Sequence, residues 1–102
     1  MSMASQRAFE DVHELRRLAG RWLRELRESK GLSQREVAEK TGTEYYTFVS
    51  QLETGRGRIP AEHYLRWAKA FGVEPKVFVR RLMQYYDPVT YDILFPKKYA
   101  SN

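Results

Sequence analysis

The sequence predicts an all-α fold, one domain of five helices followed by a short sixth. Three observations carry that prediction. Apolar residues recur every three or four positions along most of the chain, the spacing that lays a stripe down one side of a helix. Helix start and stop residues punctuate the pattern at Ser33, Gly42, Pro60, Gly72, Pro75 and Pro88. No segment alternates apolar and polar residues for long enough to make a strand. The boundaries read as an N-terminal extension over 1–11, the domain over 12–86, and a short helix with a tail over 87–102.

The first helix runs from Val12 to Lys30. Val12, Leu15, Leu18, Ala19, Trp22, Leu23 and Leu26 supply its apolar face, Arg16, Arg17, Arg24, Glu25 and Glu28 fill the others, and Gly31 stops it. A second helix spans about Gln34 to Thr41. Ser33 and Glu36 form a reciprocal capping box, with Leu32 and Val37 where a hydrophobic staple closes, and Gly42 takes the left-handed C-cap. The third helix is expected from Thr43 or Glu44 to Thr54, burying Phe48 or Val49 together with Leu52. Gly55-Arg56-Gly57-Arg58 is a loop, and Pro60 suits the first turn of a fourth helix whose shared face is Tyr64, Leu65, Ala68 and Phe71. Pro75 opens a fifth, with Phe78, Val79, Leu82 and Tyr86 spaced for burial. Asp87-Pro88 reads as a cap and first-turn proline for a short helix over Val89 to Phe95, which Pro96 breaks before a loose tail from Lys97 to Asn102.

At 102 residues a single domain is expected, and neither a multidomain enzyme nor a regulator with a separate effector domain. Eighteen Lys and Arg against thirteen Asp and Glu give a net charge of +5. Twelve of those cations are Arg, whose planar fork suits phosphate. With no cysteine, disulfides, thiol nucleophiles and Cys-ligated metals are absent. Met1 to Glu10 lacks the apolar run of an export signal, and no stretch approaches the ~20 apolar residues that span a bilayer, so a cytoplasmic, nucleoid-associated protein with no membrane partner is expected. His13 and His63 have no ligand spacing, so no metal and no cofactor are expected. Gly55-Arg56-Gly57 lacks the further glycine and the strand of a nucleotide loop, and no nucleophile–base set stands out, so an enzyme is not expected.

Two short helices joined through Gly42, the second followed by a basic loop, have the order of a helix-turn-helix. The individual residues agree. Gly20, Leu23, Arg24, Leu26, Arg27, Lys30, Gly31, Leu32, Ser33, Gln34, Val37, Ala38 and Gly42 resemble the opening of the Cro and phage-repressor family, also called the xenobiotic response element (XRE) family. Val49-Ser50-Gln51-Leu52-Glu53, then Gly55, Arg56, Arg58 and Pro60, resembles its second half, and Leu65, Ala68, Phe71, Gly72 and Val73 continue it. The resemblance covers roughly residues 18–79. It implies a lambda-repressor-like five-helix domain that binds double-stranded DNA as a two-fold dimer, and it casts Glu53 as an internal brace.

One departure affects the reading face. Members of that family usually have one residue fewer between the turn glycine and the buried aliphatic of the third helix. Counting back from Glu53 and Gly55 puts Tyr46, Thr47 and Gln51 at the base-reading positions, with Tyr45 near the helix start. Counting forward from Gly42 buries Phe48 and moves the face to Tyr45, Tyr46 and Ser50. A helix of this kind lies in the major groove, where each base pair shows a distinct donor and acceptor pattern. Gln51 donates and accepts at once, which suits adenine. Thr47 and Ser50 bond either way, and the tyrosines offer a hydroxyl and a flat ring for thymine methyls; the alternative is that one of them packs on the fourth helix.

Phosphate contacts are expected from Gln34 and Arg35 in the first turn of the second helix and from Arg56 and Arg58 around Gly57. A dimer interface is expected from Phe78, Leu82, Tyr85, Tyr86, Ile93, Leu94 and Phe95; the alternative is that this segment caps its own first helix. The leading function is a repressor on a near-palindromic operator. The alternatives are an antitoxin that also holds a protein partner and autoregulates its operon, and a DNA-packaging or protein-interaction module.

Overall fold

The computed structural model describes residues 2–97, with side chains from residue 12 onward, as six α-helices and one 3-10 turn, and no strand occurs among the described residues. In chain order these are α1 (Ser2–Ser29), α2 (Gln34–Thr41), α3 (Thr47–Glu53), the 3-10 turn (Ala61–His63), α4 (Tyr64–Phe71), α5 (Pro75–Tyr86) and α6 (Pro88–Leu94). The expected all-α fold is observed. The side chains of the N-terminal extension and residues 98–102 of the tail lie outside the described residues.

Helix α1 starts at Ser2, ten residues before the apolar stripe begins at Val12. Residues 2–11 hold no Gly or Pro to stop a helix, so no local signal delays its start to Val12. The helix ends where Gly31 adopts φ 68° and the Leu32 amide returns to the Arg27 carbonyl at 3.1 Å. Helix α1 packs against α3 and α5, α2 against α3 and α4, and α4 against α5, so each helix of the motif touches at least two others.

The core is continuous across these contacts. Leu23 of α1 meets Val37 and Ala38 of α2, Val49 and Leu52 of α3, Ile59 of the loop, Trp67, Ala68 and Phe71 of α4, and Phe78 and Leu82 of α5. At Gly20, also buried, α1 comes so close to α3 that a Cβ would collide with the carbonyl oxygens of Leu52 and Glu53. Only glycine permits that approach.

Four expectations are corrected. Helix α3 starts at Thr47, because residues 43–45 form no helical turn and absorb the extra residue of the connection. Pro60 precedes the 3-10 turn and not α4 itself. Leu65 is exposed, since α4 buries Trp67, Ala68 and Phe71 with Tyr64 partly covered, an i, i+3, i+4, i+7 face that leaves Leu65 one step around the helix. Phe78 and Leu82 are fully buried inside the monomer and cannot line a dimer surface. Tyr85 and Tyr86 are half-buried as well: Tyr85 lies 6.3 Å from the Trp22 ring, and the Tyr86 hydroxyl accepts the Ile59 amide at 3.2 Å. Burial pushes the Tyr86 hydroxyl above the usual phenol range. Much of α5 therefore caps its own monomer.

Candidate nucleic-acid interface

The connection from α2 to α3 is set by local chemistry. The Ser33 hydroxyl accepts the Glu36 amide at 3.0 Å, and the Glu36 carboxylate accepts the Ser33 amide at 2.8 Å, which closes the capping box. The Ser33 amide first, and then the Ser33 hydroxyl, hold the Glu36 carboxyl below its ordinary value. At the far end Gly42 adopts φ 68° and directs its amide to the Ala38 and Glu39 carbonyls. Thr41, buried beside it, donates to the Val37 carbonyl at 2.8 Å, and Arg66 of α4 donates to the Thr41 carbonyl at 3.3 Å.

Helix α3 is held from behind by a polar cluster. Arg27 of α1 grips Glu53 with two bonds, Nε to Oε2 at 2.6 Å and Nη2 to Oε1 at 3.1 Å. Its third nitrogen donates to the Leu32 carbonyl at 2.8 Å. The Gln34 side-chain amide donates to Glu53 Oε1 at 3.0 Å. The Arg27 and Glu53 side chains retain only 12% and 6% of their exposure, so the pair is largely desolvated. The hydrogen bond to Glu53 raises the Arg27 guanidinium above its ordinary value. One carboxylate thus ties α1, the start of α2 and the end of α3 together. The sequence resemblance cast Glu53 as a brace but gave no partner, because a pair 26 residues apart leaves no periodic signal.

Held this way, α3 turns Val49 and Leu52 inward and leaves Thr47 and Gln51 exposed one turn apart, with Phe48 and Ser50 half-buried between the two faces. This is the register counted back from Glu53. Tyr45 is 66% exposed, which excludes the alternative that it packs on α4. Tyr46 is the N-cap of α3, makes no capping bond with its side chain, and is 42% exposed. The Arg35 guanidinium lies over its ring, 4.4 Å from the centroid.

The other three residues expected at phosphates, Gln34, Arg56 and Arg58, are in three different states. The Gln34 side chain is occupied by Glu53, which leaves its place in the first turn of α2 as its contribution to the surface. Arg58 lies 4.7 Å over the Tyr86 ring and donates to the Tyr64 hydroxyl at 3.3 Å, so the loop clasps α4 and α5. Arg56 is exposed, and its backbone amide donates to the Gln51 carbonyl at 2.9 Å, which starts the basic loop directly from the exposed face of α3. Gly55, at φ 82°, lets that loop pass against Arg17, whose Cα would lie 3.0 Å from an added Cβ.

Two helices fixed by a left-handed glycine turn, the second braced from behind and presenting polar side chains beside a basic loop, define a helix-turn-helix unit. The comparisons agree. A family model described as helix-turn-helix, the Cro/C1-type domain of the XRE family, matches residues 23–78, more than half of the chain. The chain belongs to that family, and its fold is the lambda-repressor-like domain. A search of curated proteins gave no match. The protein is a DNA-binding transcriptional regulator whose partner is double-stranded DNA. No described helix is long and apolar enough to cross a membrane, and no group of three metal-ligating side chains occurs among the described residues.

Proposed function

We propose that the protein is a repressor that occupies a near-palindromic operator as a homodimer and acts by occlusion. The observation that carries this reading is the exposed face of α3, Thr47 and Gln51 with Tyr45 and Tyr46 at its leading end, on a helix whose opposite face is buried. Gln51 is the adenine-reading side chain, Thr47 bonds to either partner, and Ser50, half-buried, stands at the margin of the face. Arg56 and the first turn of α2 supply phosphate contacts that fix the register of the helix on the duplex.

The dimer surface lies on α6. Ile93 is 73% exposed and Leu94 56%, although both are large and apolar. Leu94 and Phe95 also line a cleft of about 520 Å³ with Val79 and Met83 of α5. Those residues stand in place of the buried Phe78 and Leu82. The same surface serves the antitoxin reading, in which a protein partner covers it.

Footprinting combined with sedimentation tests the proposal. Two protected half-sites about 34 Å apart, with two chains per site, are the expected result. If roughly six phosphates are neutralised, log affinity falls against log salt with a slope of about −5. A strict monomer on a single half-site contradicts the dimer, and even protection of unrelated DNA contradicts the regulator and favours packaging.

A further inference from the structure

We infer that Tyr46, held by Arg35, senses the 5-methyl group of a pyrimidine in the major groove, and that Arg35 is the positioning residue for that ring. The inference rests on the proposed reading role of α3 and goes one step further. It assigns a chemical group to the leading end of the helix and moves Arg35 from phosphate contact to specificity.

The geometry starts from the connection. Residues 43–45 form no helical turn, so the ring of Tyr46 stands at the very start of α3, ahead of Thr47. It makes no capping bond that would turn it back on the helix. Its anchor is the Arg35 guanidinium, 4.4 Å from the ring centroid. A cation over one face fixes the ring plane relative to α2, while 42% of the residue stays open to solvent. The exposed part is therefore a flat apolar surface held in one orientation. Tyr45, 66% exposed, stands next to it and widens it.

The chemistry of the groove selects what such a surface can recognise. Base edges in the major groove are donors and acceptors, except at carbon 5 of a pyrimidine, where thymine carries an apolar methyl. Methylated cytosine presents the same group at the same place. A ring gains from covering that methyl and gains nothing at the corresponding C–H. Gln51 recognises a polar edge and Thr47 offers a hydroxyl with one methyl, so the ring at the leading end is the largest apolar surface of the face, and the loss of methyl sensitivity in Tyr46→Ala separates its contact from that of Thr47. Withdrawing one methyl from water is worth about 0.8 kcal/mol, or about a fourfold change in affinity.

The test uses the full-length protein and a DNA site selected from a random pool by the wild-type chain. Each thymine of that site is replaced in turn by deoxyuridine, which removes only the methyl, and each cytosine by 5-methyldeoxycytidine, which adds one. About fourfold weakening at one thymine assigns the contact to thymine, and about fourfold strengthening at one cytosine assigns it to the methylated base. In Tyr46→Ala that sensitivity should disappear, and in Tyr46→Phe it should remain. In Arg35→Gln the sensitivity at the same base should fall, with the salt slope unchanged. Arg35→Gln with a salt slope lower by about one and unaltered methyl sensitivity overturns the positioning role. A selected site that binds equally with and without every methyl overturns the inference while leaving the regulator reading intact. A pool that yields no preferred site overturns both.

Discussion

Helices α3 and α6 are both seven residues long, and they are held by opposite means. Helix α3 has no side-chain cap at its start, yet it buries Val49 and Leu52 and is tied through Glu53 to α1 and α2. Helix α6 has a good start, with Asp87 accepting the Thr90 amide at 3.3 Å and Pro88 in its first turn, yet none of its residues is buried. Seven residues are too few for an isolated helix in water, so one of the two is kept by tertiary packing and the other by local signals and by packing chiefly on α5. The difference lies in where the apolar side chains go: α3 turns Val49 and Leu52 into the core and is braced through Glu53, whereas α6 leaves Ile93 and Leu94 exposed. On the proposed reading, the first arrangement suits a helix that reads DNA and the second a helix that meets a partner.

Mutations can break the comparison, and the largest effect is expected behind α3. Leu52→Ala should destabilise the domain by about 3 kcal/mol through lost burial and the cavity left behind, read by urea or thermal unfolding. A loss below 1 kcal/mol would mean that packing is not what holds α3. Glu53→Ala should cost about 2–3 kcal/mol, because it leaves the desolvated Arg27 guanidinium and the Gln34 amide without their acceptor. The difference in stability between Glu53→Ala and the wild type should be nearly insensitive to added salt, since the pair is shielded from solvent.

Effects in α6 should be smaller. Asp87→Ala removes a cap and should cost about 1 kcal/mol, measurable by chemical denaturation. Ile93→Ser should change monomer stability by less than about 0.5 kcal/mol. The same substitution should weaken self-association in sedimentation if α6 is the dimer surface; unchanged association would remove that assignment. Helix α2, which has both a capping box and a buried face, sharpens the contrast at low pH. The Glu36 carboxyl is held below its ordinary value of 4.5, so its contribution is present above that pH and fades as the pH falls through the depressed value. Glu36→Gln should lose stability less steeply than the wild type over that acid range in a pH series of unfolding curves.

The parts of the fold that local chemistry determines were legible in the sequence. Ser33 with Glu36, Gly42, Gly72, and Asp87 with Pro88 marked their helix ends correctly because caps act within three or four residues. The start of α3 was misplaced for the complementary reason: Tyr46 offers no capping bond to read. Leu65 resembles a core residue by composition, and only the packing of Trp67 decides against it. Phe78 and Leu82 could not be divided between core and dimer surface from spacing, because both uses want the same stripe. At the site, the polar face of α3 was legible to within two registers. The grip of Arg27 on Glu53 and the stack of Arg35 on Tyr46 were not, since each joins side chains that meet only once the helices have packed.

The central claim is that the buried side of α3 fixes which residues face the DNA, with Gln51 outward and Ser50 at the margin. In vitro selection of binding sites with the wild type, Gln51→Ala and Ser50→Ala tests it most directly. The wild type should enrich one compact motif, Gln51→Ala should relax a single position of it at a cost of about 1–3 kcal/mol, and Ser50→Ala should leave it unchanged. A motif untouched by Gln51→Ala and altered by Ser50→Ala would contradict the account.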